Sequence, residues 1–248
     1  MIPRVCKRQL GHIMKNATMV VGKNYATAQI APLQQAALKE RCILLDKLDR
    51  SIGEATKEVC HEINAQGTVP LHRAFSVFLF NDKRELLLQK RSSSKITFPN
   101  CYTNTCCSHP LAEIPQETEE KDAMGVRRAA IRRLNYELGI PTDEIKPFEL
   151  FYLTRIYYEA VSNDRWGEHE IDYVLFLQKK NITIDPNPDE ISEVRWVSRS
   201  EIDNFVKTVS PLTPWFRLIY QYKLLDWWDN IHDLSKMQDL DNIIELSV

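Results

Sequence analysis

The chain has 248 residues, 44% hydrophobic and 27% charged, with 7 Gly and 12 Pro, which fits one globular domain, two at most, and excludes disordered and fibrous chains. Lys and Arg number 32 against 34 Asp and Glu, for a formal charge of -2, which argues against a basic protein that coats nucleic acid. No apolar run reaches the ~18 residues of a membrane span, so no stable membrane insertion is expected.

In chain order, no Asp or Glu precedes Glu40, whereas Arg4, Lys7, Arg8, Lys15, Lys23 and Lys39 are basic. Residues 1–35 read as a flexible basic extension or as a mitochondrial transit peptide, and residues 36–248 as a single domain. The pattern over Ala36–Asp46 starts helical, then Cys42-Ile-Leu-Leu45 reads as a buried strand, and polar sequence continues through Gly67. Arg73–Phe80 and Glu85–Lys90 flank Asn81–Arg84 as a β-hairpin. A loop rich in Ser, Pro, Asn and Cys follows, from Arg91 to about Glu120, a length that often signals function.

Asp122–Leu138 is the clearest helix, with Val126, Ala130, Leu134 and Leu138 on one stripe, Arg127, Arg128, Arg132 and Arg133 off it, and Gly139-Ile-Pro141 as the stop. Phe148–Tyr158 and Glu170–Leu177 read as strands around a polar turn, and Glu193–Val197 as another. Ser198 with Glu201 forms a capping box that opens a helix, and Thr213-Pro214 precedes a last aromatic helix over Trp215–Trp228. The fold class this predicts is mixed α/β with a largely antiparallel sheet built from hairpins and flanked by helices.

Six cysteines, at 6, 42, 60, 101, 106 and 107, show no disulfide spacing and are expected to be reduced, in an intracellular, cytoplasmic setting. Cys6, Cys42, Cys60 and Cys101 read as inert packing. Cys101, Cys106, Cys107 and His109 form only one arm of a zinc cluster, while a reactive thiol beside His109 is the stronger reading. His61, His72, His109, Glu168 and Glu170 are metal-ligand types. At the mouth of a strand Glu168 and Glu170 share a face and His169 takes the other, and two held carboxylates call for a cation or a proton. Spacing alone still leaves the histidines as ordinary core or surface residues. Lys57, Arg91 and Lys95 suit a phosphorylated ligand or a solvated basic surface. Glu137, in the last helical turn, opposes the helix dipole and needs Arg133 or a second cation beside it.

The helix also ends like a Nudix box: the family's Arg, first apolar residue, last Glu, Gly and final apolar residue fall on Arg132, Leu134, Glu137, Gly139 and Ile140. The opening Gly falls on Thr118, the first Glu on Met124, and two core acids on Arg133 and Tyr136. Hydrolases of that family use those carboxylates to hold metal and activate water, so the resemblance implies the fold without the hydrolysis.

His72-Arg-Ala-Phe-Ser76, Gln89-Lys-Arg-Ser92, Thr103-Asn-Thr-Cys-Cys-Ser-His-Pro110, Val126-Arg-Arg-Ala-Ala130, Trp166-Gly-Glu-His-Glu-Ile-Asp172 and Thr213-Pro-Trp215 together resemble type I isopentenyl-diphosphate isomerase of animal type, from about Arg41 to Trp228. The resemblance implies a Nudix-like α/β fold, a prenyl diphosphate substrate, no nucleic-acid partner and action as a monomer. It implies that Cys107 is the thiol acting on the allylic carbon and Glu170 the acid on the opposite face, assisted by Tyr158, with Trp215 facing the hydrocarbon. Lys57, Arg91, Lys95 and the Ser108 backbone would contact the substrate. His61, His72, His109, Glu168 and Glu170 would ligate one divalent ion (Mg²⁺, Mn²⁺ or Zn²⁺), and Glu137 would support a second, Mg²⁺, bound with the diphosphate. Some animal members carry a basic peroxisomal-type tail; Leu246-Ser-Val248 lacks the basic residue. The readings set against isomerisation are a diphosphate hydrolase on the same fold and a non-catalytic metal-binding protein.

Overall fold

A computed structural model describes residues 30–247. The basic arm up to residue 29, with its transit-peptide reading and Cys6, lies outside the described residues, as does Val248. The elements are α1 (Pro32–Ala37), β1 (Arg41–Leu45), β2 (Ser51–Thr56), α2 (Lys57–His61), β3 (His72–Phe80), β4 (Leu86–Arg91), β5 (Tyr102–Thr103), β6 (Cys106–Ser108), α3 (Met124–Leu138), β7 (Phe151–Val161), β8 (Gly167–Gln178), β9 (Ile191–Val197), α4 (Ile202–Thr208), α5 (Pro214–Ile219), α6 (Leu225–Asp229) and β10 (Ile243–Glu245).

The sheet runs β10-β7-β8-β3-β1-β2, with β6 and β4 also on β3, and β5 and β9 on β4. Every residue of β3 is buried, as expected for a strand covered on both faces. Its main partner is β8, parallel and in continuous register from His72↔Glu170 to Phe80↔Gln178. The expected hairpin between β3 and β4 shrinks to one pair, Phe80↔Leu86; β4 turns away to run antiparallel to β9. Local alternation cannot distinguish these partners, because Val77–Phe80 and Leu86–Leu88, the segments beside the turn, are unbroken apolar runs. The β7–β8 hairpin forms as expected, with β7 shifted three residues toward the turn and β8 extended at both ends. The Arg91–Glu120 loop is not structureless: β5 and β6 lie within it, β6 paired with β3 through Ser76↔Cys107. Strand β2 escaped prediction because it is an exposed, polar edge with no apolar alternation.

Two apolar clusters cover the faces. Phe75, Val77, Leu79, Ile171, Tyr173 and Leu175 pack with Val126, Ala129, Ala130, Leu134 and Leu138 of α3. Phe78, Phe80, Val174 and Phe176 pack on the other face against Trp215, Phe216, Trp227 and Trp228. The expected Trp215–Trp228 helix is interrupted by a wide π turn at Tyr220–Leu224. Helix α3 begins two residues late because Asp122 and Ala123 take left-handed backbone conformations. Arg133, off the apolar stripe, is buried beside Glu137, as the partner that carboxylate was expected to need.

Gly139 closes α3 at φ +64, and a Cβ there would stand 2.4 Å from Asp185 O. Gly139→Ala is therefore expected to destabilise the fold by more than the ~1 kcal/mol of a left-handed alanine alone, read as a lower urea midpoint at unchanged slope.

Candidate active site

The site occupies one end of the sheet face that carries Trp215. Period-2 alternation puts His72 and Ser76 of β3 on the same side as Phe78 and Phe80, and Glu168, Glu170 and Asp172 of β8 on the same side as Val174 and Phe176. Each strand thus changes along one face from polar to apolar.

Five donors converge there: His61 from α2, His72, His109 just past β6, Glu168 and Glu170, all buried and with ligand atoms within 4.8 Å of one another. Carbonyl oxygens fix the imidazoles. His61 Nδ1–H donates to Lys57 O (2.8 Å) and His72 Nδ1–H to Pro70 O (2.9 Å), which leaves both Nε2 lone pairs facing inward. His61 Nε2 and Glu168 Oε2 stand 2.9 Å apart, yet neither has a hydrogen-bond partner. His72 Nε2 lies 3.2 Å from His109 Nε2, which lies 2.9 Å from Glu170 Oε1. Lone pairs turned on lone pairs in a buried site repel unless a cation or a proton stands among them. Three imidazoles and two carboxylates suit a divalent ion, so the residues fit a metal. Burial opposes charge on Glu168 and Glu170, but His61 and His72 hold both carboxyls below the usual range. Tyr158 OH donates to Glu170 Oε2; burial and the Glu170 and Glu168 charges raise its own pKa well above normal.

Register decides which cysteine faces this cleft. Cys106 turns to the α3 side and is fully buried, whereas Cys107 faces Trp215. Cys107 Sγ donates to Asn104 Oδ1 (2.9 Å), accepts from Trp215 Nε1–H (3.0 Å) and lies 3.5 Å from Ser76 Oγ, which donates to Asp172 Oδ2 (2.7 Å). Burial and the Asp172 charge push the thiol up to about 12, against the Ser76 and Thr103 hydrogen bonds and the Arg91 charge.

The basic end of the cleft is lined by Lys57, Arg91, Lys95 and Arg133. Lys95 Nζ pairs with Glu190 Oε2 (2.5 Å), and Arg133 bridges Glu137 (2.7 Å) and Glu190 (3.3 Å). Burial would raise the Glu190 carboxyl, but Lys95 and Arg133 hold it down to about 2. Arg91 spends Nε and Nη2 on Phe98 O (3.1 Å) and Thr97 O (2.8 Å), which ties down the strained loop where Phe98 has φ 45.

A NUDIX domain model matches residues 70–216. Isopentenyl-diphosphate Delta-isomerase 1 of Mesocricetus auratus is 52% identical over 221 residues, which cover 88% of this chain and 96% of that protein. The chain belongs to the isopentenyl-diphosphate Delta-isomerase family. The same-named protein of Bos taurus is 50% identical over 88% of this chain and 97% of its own length, and the isomerase of Dictyostelium discoideum 42% over 86% and 91%. Among solved structures, DR0079 from Deinococcus radiodurans aligns with TM-score 0.51 at 17% identity, over 74% of this chain and 99% of that one, a likeness of fold alone.

In this isomerase-family chain, Lys57, His61, Arg91, Lys95, Cys107, Ser108, His109, Tyr158, Glu168, Glu170 and Trp215 all line one cleft, and His72 joins through the five-donor cluster. Glu137 does not line it; Arg133 and Gln89 engage both of its oxygens. The single-arm zinc reading loses its basis, because Cys106 faces away and no cysteine joins the cluster among the described residues. Arg132, the box arginine, ties α3 to the site: it binds both oxygens of Glu117 and donates to His109 O (3.2 Å). Sequence reasoning missed Ser76, Asn104, Asp172 and Glu190. Asp172 was legible as the third member of the Glu168, Glu170 alternation and Ser76 by counting from His72. Nothing local marks Glu190, which precedes β9.

No helix among the described residues is long and apolar enough to cross a membrane. The five described cysteines are all free.

Proposed function

We propose that this chain interconverts isopentenyl and dimethylallyl diphosphate, by protonating the alkene on one face and removing an allylic proton on the other. The observation that carries the reading is one cleft in which the Cys107 thiol, the Glu170–Tyr158 pair and Trp215 share the lining with Lys57, Arg91 and Lys95. Allylic double-bond migration passes through a tertiary cation, so an acid and a proton acceptor are needed at different carbons. Glu170 in its protonated form gives one proton and becomes a carboxylate, and Cys107 as the thiolate takes the other and becomes a thiol, with Tyr158 orienting the carboxyl.

The Trp215 ring, 3% exposed, faces the hydrocarbon, where a desolvated π face stabilises a cation by up to about 2 kcal/mol. Its bulk excludes the water that would trap that cation as an alcohol. Lys57, Arg91, Lys95 and the Ser108 backbone hold the diphosphate, so binding energy is drawn from groups remote from the reacting carbons. His61, His72, His109, Glu168 and Glu170 are assigned to one divalent ion, Mg²⁺, Mn²⁺ or Zn²⁺, and Glu137 to a Mg²⁺ that accompanies the diphosphate and would replace Arg133 or Gln89 on a carboxylate oxygen. When bound, the ion of the five-donor site supplies fixed positive charge beside Glu170.

Purified protein with Mg²⁺ and isopentenyl diphosphate in D₂O, followed by NMR, tests the reading. Conversion with deuterium uptake supports it. Phosphate release without isomerisation would mean a hydrolase, and metal binding with no exchange into either isomer a non-catalytic protein. Arg133 and Tyr136 standing at box acid positions weigh against hydrolysis.

The basic end has a pH consequence. Burial and the like charges of Arg91 and Lys57 lower Lys95 to about 8, against the pull of Glu190 and Glu137. The ammonium is present below that pH and lost above it, so KM for the diphosphate is expected to rise as pH passes about 8. Lys95→Arg, charged throughout, is expected to flatten that rise; an unchanged KM profile in the variant would assign the dependence elsewhere.

A further inference from the structure

Asn104 is fully buried and makes five hydrogen bonds. Its Nδ2 donates to Val77 O and Cys106 O, both at 3.1 Å, so two carbonyls of separate strands fix which end of the amide is oxygen. That oxygen takes three donors: Cys107 Sγ at 2.9 Å, Thr103 Oγ1 at 3.0 Å and Trp215 Nε1 at 3.2 Å. Trp215 Nε1–H also points to Sγ, at 3.0 Å. Sulfur, amide oxygen and indole nitrogen therefore form a closed triangle whose amide corner is anchored to the sheet.

We propose that Asn104 is a positioning residue for isomerisation: its locked side-chain oxygen holds the Cys107 thiol and the Trp215 indole in one fixed relation. The inference rests on the isomerase reading and deepens it. The sulfur must stand within reach of an allylic hydrogen while the ring covers the carbon that becomes cationic. One acceptor shared by both groups sets that relation. Thr213 Oγ1 donates to Thr103 Oγ1 (2.8 Å), which joins the turn before α5 to the same point. A sulfur free to rotate about its side-chain bonds would spend most of its time off the reactive line, and a misplacement of about 1 Å costs ~10²-fold in rate.

Two substitutions separate positioning from support of the fold. Asn104→Leu and Asn104→Asp both lose the Nδ2 donors to Val77 and Cys106; only Asp keeps an acceptor where Oδ1 stood. A buried Asp destabilises more than a Leu of similar size, so a purely structural role makes the Leu variant at least as active as the Asp variant. Positioning makes the reverse order. The expected result is that Asn104→Leu lowers kcat by ~10²-fold with KM within about threefold of the unmodified chain. Asn104→Asp, although the less stable in thermal unfolding, is expected to keep a clearly higher kcat.

A Leu variant within about threefold of the unmodified kcat, or one as active as the Asp variant, overturns the proposal. If the Asp variant does not fold, the split between kcat and KM in the Leu variant decides alone. The unmodified chain and Cys107→Ser are measured alongside. An inactive unmodified chain, or a fully active Cys107→Ser, sinks the isomerase reading or the role of Cys107. An active unmodified chain, a dead Cys107→Ser and a normal Asn104→Leu sink only the role of Asn104.

Discussion

Cys107→Ser lowers kcat for isomerisation by ~10³-fold or more, about 4 kcal/mol of barrier, while leaving the fold intact. A hydroxyl can make the contacts the thiol makes, donating to Asn104 Oδ1 and accepting from Trp215 Nε1–H. The unfolding midpoint and KM are therefore expected to stay close to those of the unmodified chain. Hydroxyl and thiol differ in proton affinity and polarisability, which matter where a proton leaves an allylic carbon. Single-turnover conversion of isopentenyl diphosphate, measured with calorimetric unfolding of the same sample, checks both halves. Full activity in the serine variant would remove Cys107 from the reaction.

Stripping divalent metal with a chelator abolishes isomerisation and lowers the melting temperature, and both return on adding back a divalent ion. The expected loss of stability follows from mass action: an ion at a hundred times its Kd contributes about 2.7 kcal/mol, or roughly 5–10 °C for a domain of this size. The physical cause lies in the five-donor site, where His61 Nε2 and Glu168 Oε2 have no other partner and His72 and His109 turn their Nε2 atoms on each other. Calorimetry with and without chelator, with metal content measured on the same protein, tests this. An unchanged melting temperature in fully metal-free protein would mean that protons alone balance the cluster.

Much of the site was legible as chemistry before it was legible as geometry. The faces of β8 could be counted, so Glu168 and Glu170 were rightly set opposite His169, which turns away to Val69 O and Tyr157. The end of α3 could be read from Gly139, whereas the capping box of Ser198 and Glu201 forms only in part: Glu201 Oε2 accepts from Ser198 N–H and Oγ–H, but the helix starts at Ile202 with no side-chain cap bond. Arg133 meets Glu137 as that carboxylate required, and its burial, which the stripe did not reveal, is compensated by Glu137 and Glu190 together. The β3–β4 hairpin was inferred from a turn of the right length, yet β3 gains more by lying between β8 and β6, where both of its faces and edges are covered.

The amino-acid sequence by itself determined the supply of chemistry: an acid pair on one strand face, three imidazoles, adjacent thiols, a cation-rich stretch, and a Nudix helix stripped of its hydrolytic acids. These follow from residue type and from periodicities that repeat within a few positions. The tertiary structure alone decided which thiol enters the cleft, which imidazoles meet which carboxylates, and that Glu190 and Asn104 belong to the site at all. Those outcomes depend on pairings such as His72 with Glu170 and Ser76 with Cys107, whose partners are far apart in the chain. Register over such separations is selected by burial of the whole sheet, and no short segment carries it.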